Sequence, residues 1–475
     1  MDVIQRRDQL PADGRPDGGR MDRETKGKTP LTLPMSRWLA QERAPDTVVA
    51  WRGELRITLA QLRRDVAGLY RELNAHREKR WALCFDDCYR FTVALLASLY
   101  CGKVPIIFGH QREAILQEQR ADFDALLSDL PLMLGVPRLT VEEGAAGSAA
   151  LPDWPDAASL VLYTSGSTGE PQKVHKPVAA LDEECALLAA RWLPQFQGRW
   201  IAASVSHQHL YGLSFRLFMP MACGVPFDAQ LTEYHEQLIA KRQVGQLLFI
   251  SSPAWLTRLD AALSPLDCAL VFSAGGPLPF AEAQRAQHLL GTLPLEIYGA
   301  TETGIIGWRQ QHQPETAWRL FDGVTLQLDA QGQPQIDSPL LDAPLSLNDI
   351  LQPAADTRYF HLQGRSDRII KIEEKRLSLT EVERRLRALP AVSDAAVLPL
   401  RRKGRISLGA VIVLSAQGHA ERQTLSEGLF TRRLHQALRP WLEPVALPRS
   451  WRIVTAIPRN PQGKRAYAEL QELFL

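Results

Sequence analysis

The sequence offers little that would attach it to a membrane, a nucleic acid or an oxidising compartment. Its six cysteines, at positions 84, 88, 101, 185, 223 and 268, are scattered without paired zinc spacing, and Cys84-x-x-x-Cys88 falls in an apolar segment that reads as core. That pattern suits a reducing compartment. No N-terminal segment has the basic-then-apolar order of a signal peptide. The longest apolar run, Phe91 to Tyr100, stops at Cys101-Gly102-Lys103, too short to cross a bilayer. The expectation is a cytoplasmic protein with no membrane partner. An excess of one charge is also missing: 55 Lys and Arg stand against 53 Asp and Glu, a formal net charge of +2. Such a balance implies no general attraction to nucleic acid, and no aromatic-interleaved basic stripe appears. The usual phosphate loop, Gly-x-x-x-x-Gly-Lys-Ser/Thr, is absent too. An acidic ligand would need a site built locally.

What is present begins with size: 475 residues with ordinary apolar and charged fractions make a globular protein of two or three domains. The organising stretch runs from Tyr163 to Lys176. It leaves Ser159-Leu160-Val161-Leu162, a short apolar run that reads as a buried strand. Gly166 and Gly169 let the backbone turn tightly against a ligand, and Thr164, Ser165, Ser167 and Thr168 add hydroxyls to the amide donors. That donor set suits a polyphosphate. A plain surface loop is the alternative for a Ser/Gly-rich stretch taken alone. Agreement from other stretches weighs against it.

Residues 1–33, rich in Arg, Asp, Gly and Pro without apolar periodicity, read as a disordered leader, with Met21 or Met35 as alternative starts. From Trp38 the apolar pattern begins. Trp81 to Phe85, Phe91 to Tyr100 and Val104 to Ile107 read strand, helix, strand. The alternation continues to about residue 300 and predicts an α/β domain with a largely parallel sheet. In such sheets ligands sit at the carboxyl ends of strands, where the 166–169 turn falls. Ser204 to Gly212 mixes imidazoles, an aromatic and a glycine ahead of the apolar Leu213 to Met221, and His207 there reads as a hydrogen-bonded structural residue. Leu270 to Phe272 runs into Gly275-Gly276-Pro277, and Leu295 to Ile297 runs into Tyr298-Gly299-Ala300-Thr301-Glu302. Side by side on one rim, Gly275, Gly276 and the Tyr298 ring could hold a planar base, with Thr301 and Glu302 facing phosphate and a hard cation. A solvated loop carboxylate is the alternative for Glu302. Beyond residue 320, Pro334, Pro339, Pro344 and Pro353 mark a boundary. Tyr359 to Leu362 and Ile369 to Ile372 read as strands. Thr380-x-x-Glu383 reads as a capping box opening a helix with Val382, Leu386 and Leu389 on one face, ended by Pro390. With strands at Ala395 to Leu398 and Val411 to Leu414, residues 368–475 make a small α+β domain.

In this order the stretches resemble the motif series of the AMP-forming adenylating superfamily: acyl- and aryl-CoA synthetases, adenylation domains and luciferases. The resemblance covers residue 35 or so to the end. Thr164 to Gly169 is similar to the superfamily's phosphate loop, Tyr298 to Glu302 to its Tyr-Gly-x-Thr-Glu, and Gly463-Lys464 to its near-terminal Gly-Lys. Gly364 to Asp367 with Lys371 resembles its Gly-Arg-x-Asp before an Ile-Lys strand. His209 to Gly212 resembles the His-x-Tyr-Gly segment beside the acyl pocket, which makes His209 the functional imidazole, and Ala274 to Pro277 resembles the adenine-side turn. Asp349 sits where the ribose-binding aspartate would be, behind Asn348 in place of glycine. Through Gly169-Glu170-Pro171, Ser206 to Gly212 and Lys371 to Arg376, the chain looks most like shorter ligases that accompany fatty-acid-like or aryl polyene synthases. Two departures stand out. Gln172-Lys173 replaces the Lys-Gly after Pro171, leaving Lys173 or Lys176 to serve the phosphate loop, and Glu374 replaces a glycine where pantetheine would pass.

The resemblance implies a large multi-sheet N-terminal α/β domain (34–364), a hinge (365–367) pivoting at Asp367, and a small mobile α+β C-terminal domain (368–475). It implies ATP-dependent activation of an aryl or fatty carboxylic acid to an acyl-adenylate with pyrophosphate release. Transfer to the phosphopantetheine thiol of CoA or acyl carrier protein would follow. Catalytic candidates are Lys464, bridging acid and triphosphate, with Glu302, Thr164 and His209. ATP would be held by residues 164–169, Lys173, Gly275, Gly276, Pro277, Tyr298, Gly299, Ala300, Thr301, Asp349 and Arg365, with Mg²⁺ on Glu302. His209, Tyr211, Ser252, Pro253, Trp255 and Trp308 are candidate walls for the acid. The basic clusters at Lys375-Arg376 and Arg401 to Lys403 read as a solvated face, with an acidic carrier protein as the other reading. Two rival functions stay open: an adenylate-forming enzyme with a non-thioester second step, and a nucleotide-binding regulatory protein that has lost turnover.

Overall fold

Short apolar runs between turns become strands, and the helices that cover them carry apolar residues on their inner faces. The computed structural model describes residues 32–475 except 110, 112, 145–149, 166–170, 242–244, 366–368, 373–374, 403–404, 443 and 460–464. The leader expected at 1–33 therefore lies outside the described residues but for its last two. Outside them too lie the phosphate turn 166–169, Asp367, Glu374, Gly463 and Lys464; of Thr164, Ser165 and Arg365 the backbone alone is described.

The hairpin of β1 (Val48–Arg52) and β2 (Leu55–Thr58) leads into α1 (Leu59–Asn74), where the Thr58 hydroxyl accepts Gln61 N at 3.4 Å. A first sheet is then built from β3 (Arg80–Cys84), β4 (Val104–Ile107), β5 (Ala125–Ser128), β6 (Arg138–Leu139), β7 (Ser159–Ser165) and β8 (Pro171–Pro177). Its order is β6-β5-β3-β4-β7-β8, parallel except for β8, which runs back antiparallel along β7. Between β3 and β4, α2 (Cys88–Tyr100) is capped by Asp87, whose carboxylate accepts Arg90 N at 2.9 Å. Cys84 and Cys88 are core, and burial pushes both thiols up to about 12.

After α3 (Glu113–Glu118), which lies between β4 and β5, and α4 (Val178–Phe196) comes β9 (Trp200–Ala203), then β10 (Phe227–Asp228), β11 (Leu247–Ser251), β12 (Leu270–Ser273), β13 (Leu295–Ala300), β14 (Gly304–Arg309) and β15 (Trp318–Leu320). The short strands β16 (Thr325–Leu328), β17 (Pro334–Asp337) and β18 (Leu345–Ser346) pair among themselves. β19 (Asp349–Pro353) and β20 (Tyr359–Arg365) rejoin the large sheet, whose order is β19-β20-β15-β14-β13-β12-β11-β9-β10-β1-β2. Its middle, β13 to β1, is parallel and its two wings are antiparallel. Because β11 and β12 are covered on both faces, they read as continuous apolar runs. Phe272 packs toward Trp192 of α4 at 5.3 Å, while Val271 belongs to the opposite core with Trp255 and the helix Phe280–Leu290.

The C-terminal part has its own core. β21 (Ile369–Ile372) and β22 (Lys375–Ser378) form a ribbon, and β23 (Val392–Arg402), β24 (Arg405–Leu414) and β25 (Ser450–Ile453) form a three-stranded sheet. The helices Leu379–Arg387 and Glu427–Leu438 set Val382, Leu386, Phe430 and Leu434 against Ala395, Val397 and Ile412 of that sheet. The fold is thus mixed α/β, a large multi-sheet N-terminal domain with a smaller C-terminal one. One local expectation shifts. The helix begins at Leu379, ahead of the expected cap Thr380, and the buried Glu383 carboxylate accepts Val397 N at 2.7 Å and pairs with Arg465 at 2.5 Å. No helix among the described residues is long and apolar enough to cross a membrane.

Candidate active site

Two hairpins organise the site. β7 continues past Leu162 because β8 pairs with it, Tyr163 opposite Lys173 and Ser165 opposite Pro171. In the large sheet, β13 and β14 pair Ala300 with Gly304, leaving Thr301-Glu302-Thr303 as a tip. Glycine is required at both roots of that tip. A Cβ on Gly299 would lie 2.3 Å from the Gly304 carbonyl oxygen, and one on Gly304, at φ 73°, would lie 2.5 Å from Glu184 Oε2. Inside the tip, Thr303 Oγ1 accepts Ala300 N at 3.2 Å and donates to the Gly304 carbonyl at 3.0 Å.

Loops of the large sheet meet the first sheet at two places, on β8 and just past β4. On β8, the buried Lys176 donates from Nζ to the carbonyls of Thr301 at 3.0 Å and Glu302 at 3.3 Å. Burial holds its ammonium below the usual lysine range, opposed by the negative charges of Glu184 and Glu302. Glu184 reaches from α4 to accept Ile305 N at 3.0 Å, and its own burial pushes its carboxyl up. Lys173 points elsewhere, half-exposed and paired with Asp122. The Glu302 side chain remains exposed, with no ion pair to a described residue. On β7, the carbonyl of Tyr163 and the imidazole of His209 both stand against Gly109, just past β4. A Cβ there would lie 3.5 Å from the former and 2.7 Å from Cε1 of the latter.

His207 is structural, as its surroundings in the sequence suggested. Its Nε2 lies 3.1 Å from the Phe85 carbonyl and its Nδ1 3.4 Å from Arg216 Nη1, an atom that can only donate. Nδ1 therefore accepts and Nε2 carries the proton. Burial, with the adjacent guanidinium, drives the imidazole well below its ordinary range. Arg216 is itself fully buried, donating to the Ala229 carbonyl at 2.9 Å.

β12 and β13 are parallel neighbours, Ser273 beside Glu296, so the 275–277 turn and the Tyr298 to Thr303 segment leave one rim. Gly275, at φ 90°, and Pro277 are exposed there. The half-buried Tyr298 ring packs 5.7 Å from both Trp318 and Phe360. Asp349 opens β19 directly opposite Arg365 in register. Of the candidate acid walls, Tyr211 lies 4.9 Å from Phe215, and Ser252 follows the end of β11. The other tryptophans are committed to packing. Trp255 sits across the sheet from Phe215, 4.7 Å from Phe249, and donates Nε1 to the Glu233 carbonyl at 3.0 Å. Trp308 lies 4.6 Å from the guanidinium of Arg191 and 5.7 Å from that of Arg319. The sequence reading had no place for Gly109, Gly304 or Glu184. Gly304, next to Tyr298 to Glu302, was the one with a signal.

A mixed α/β fold with a large multi-sheet N-terminal domain and a smaller C-terminal one is the fold of the adenylate-forming enzymes. The crystal structure of ATP-bound MatB from Rhodopseudomonas palustris shares this fold with a TM-score of 0.76 at 18% identity, over 92% of this chain and 98% of that one. Residues 109–337 match the AMP-binding enzyme family and residues 381–464 the AMP-binding enzyme C-terminal domain. The 4-coumarate–CoA ligase of Halorhodospira halophila is 31% identical over 332 residues, covering 65% of this chain and 75% of that protein. The anthranilate–CoA ligase of Pseudomonas aeruginosa is 26% identical over 458 residues, covering 83% and 87%. The chain belongs to the AMP-binding enzyme family.

Proposed function

We propose that this chain is an AMP-forming ligase that activates an aryl carboxylic acid with ATP and passes the acyl group to the thiol of CoA or of an acyl carrier protein. The observation that carries the reading is the anchoring of the β13–β14 tip on β8 through Lys176, beside the place where His209 packs against Gly109 just past β4. The names of the two ligase relatives favour an aromatic acid.

A carboxylate acylates poorly because its leaving group is an oxide. In the first step a carboxylate oxygen bonds to the α-phosphorus as the bond to pyrophosphate breaks, giving the acyl-adenylate. In the second, a thiolate sulfur bonds to the acyl carbon and AMP departs. Two anions must meet in the first step, which asks for fixed positive charge and positioning more than proton transfer. Amides of residues 164–169 would hold the phosphates, Lys464 would bridge acid and phosphate, and His209 would stand at the acid. Magnesium fits the residues present: it favours one or two carboxylates plus phosphate oxygens, and Glu302 presents an exposed carboxylate on the β13–β14 tip. Held there with the nucleotide, it would neutralise phosphate charge. The domains are assigned as 34–364 and 368–475 about a hinge at 365–367, with Asp367 as pivot, and the cytoplasm as the compartment.

The test is exchange of labelled pyrophosphate into ATP across aryl acids and fatty acids of increasing length, followed by mass analysis of products with CoA and with pantetheinylated carrier protein. Exchange with an aryl acid and a thioester on either acceptor is expected. Exchange with no acid would leave the regulatory reading, and an adenylate that reaches neither thiol would leave the non-thioester one.

A further inference from the structure

Lys176 spends an ammonium on two backbone carbonyls. Satisfying the Thr301 and Glu302 carbonyls does not require a charge, and burying one is costly unless other charges answer it. Here two do, Glu184 and Glu302, but neither is the atom that Lys176 touches. The amine thus fixes the backbone beneath Glu302 and supplies a counter-charge, while the Glu302 carboxylate stays exposed. Glu184 completes the brace from α4 by holding Ile305 N, and Gly304 leaves room for that carboxylate. Lys176 sits on the strand returning from the phosphate turn, opposite Leu160, so the brace joins the two hairpins to which the nucleotide has been assigned.

We propose that Lys176 is a positioning residue for nucleotide and metal. It sets the Glu302 tip against the β7–β8 hairpin, so that nucleotide phosphates and a divalent cation find their ligands already in place. The proposal rests on the functional reading above, and it gives Lys176 a role distinct from a mobile phosphate contact.

Lys176→Met keeps the volume and removes the donor. Loss of a charged hydrogen bond of this kind is expected to raise the KM for ATP and the half-saturating Mg²⁺ concentration about tenfold, with the KM for the acid unchanged. Direct titration with a fluorescent ATP analogue should show the same loss when Mg²⁺ is present and a smaller one in EDTA. Lys241→Met, which breaks the partly buried ion pair with Asp228 at 2.5 Å, is the comparison, expected to lower the melting temperature without moving either nucleotide quantity. If Lys176→Met does not fold, Lys176→Gln, which keeps a shorter donor, should shift both quantities in the same direction. Wild-type values for ATP and Mg²⁺ in a folded variant, whatever its melting temperature, would overturn the proposal. Absence of exchange in the wild type would instead remove the functional reading, and the nucleotide titration would still decide the role of Lys176.

Discussion

A Cβ on Gly109 would stand 2.7 Å from Cε1 and 3.2 Å from Nδ1 of His209. The backbone at Gly109 is not in the left-handed region, so Gly109→Ala introduces no strain of its own. The cost falls on the imidazole, which must turn aside. If His209 orients the acid, the variant should lose about tenfold or more in kcat/KM for the acid, in line with the price of small misplacements at a reacting centre. Its melting temperature should move by only a few degrees. Acid-dependent exchange kinetics and a thermal melt check this, and a full-activity variant would take His209 away from the acid.

That contact also shows where sequence reading stopped. In the large sheet, β12 was legible because it is buried on both faces and carries an unbroken apolar run. β8 was not: Pro171 to Pro177 is polar and bounded by prolines, and it is a strand only because β7 offers it an edge. Gly109 looks like any glycine after a strand until His209 arrives from far along the chain. Glu383 has the spacing of a cap, yet the carboxylate goes to Val397 and Arg465, partners set by tertiary packing. Motif residues could be named from the sequence, while the braces that hold them could not.

Asp182 yields a pH prediction. It accepts Met35 N at 2.9 Å, but burial raises its carboxyl to about 6. A carboxyl raised in the folded state favours folding while protonated, and that contribution is lost as pH rises from about 4 to about 6. Asp182→Asn keeps an acceptor for Met35 without the charge. It should be more stable than the wild type at pH 7.5, by about 1–2 kcal/mol, with the gap closing toward pH 4. Urea denaturation at both values measures it, and a gap independent of pH would refute the assignment.

The buried Glu296 pairs with the partly buried Arg309 across β13 and β14, at 2.9 Å, supported by Gln311 Nε2 at 2.5 Å from the same carboxylate. Removing one partner leaves the other charge uncompensated, so Arg309→Met should cost about 3–5 kcal/mol. The double variant Glu296→Gln, Arg309→Met should recover part of that loss. Additive losses in a double-mutant cycle, followed by chemical denaturation, would show that the two side chains do not act as a pair.

The last prediction separates the two half-reactions. Lys464 would neutralise charge between acid and α-phosphate only while the adenylate forms, and it has no place in the attack of a thiol on an adenylate already made. Lys464→Ala should therefore lose exchange by about 10²–10³, the usual cost of removing one transition-state charge contact. It should still convert a supplied acyl-adenylate to thioester at a rate near wild type. Asp367→Pro, which fixes one backbone dihedral at the assigned pivot, should show the opposite pattern, with exchange retained and thioester formation impaired. Measuring both half-reactions in both variants sets the claims against each other. Equal losses in the two steps for Asp367→Pro would remove the pivot, and retained exchange in Lys464→Ala would remove the bridging cation.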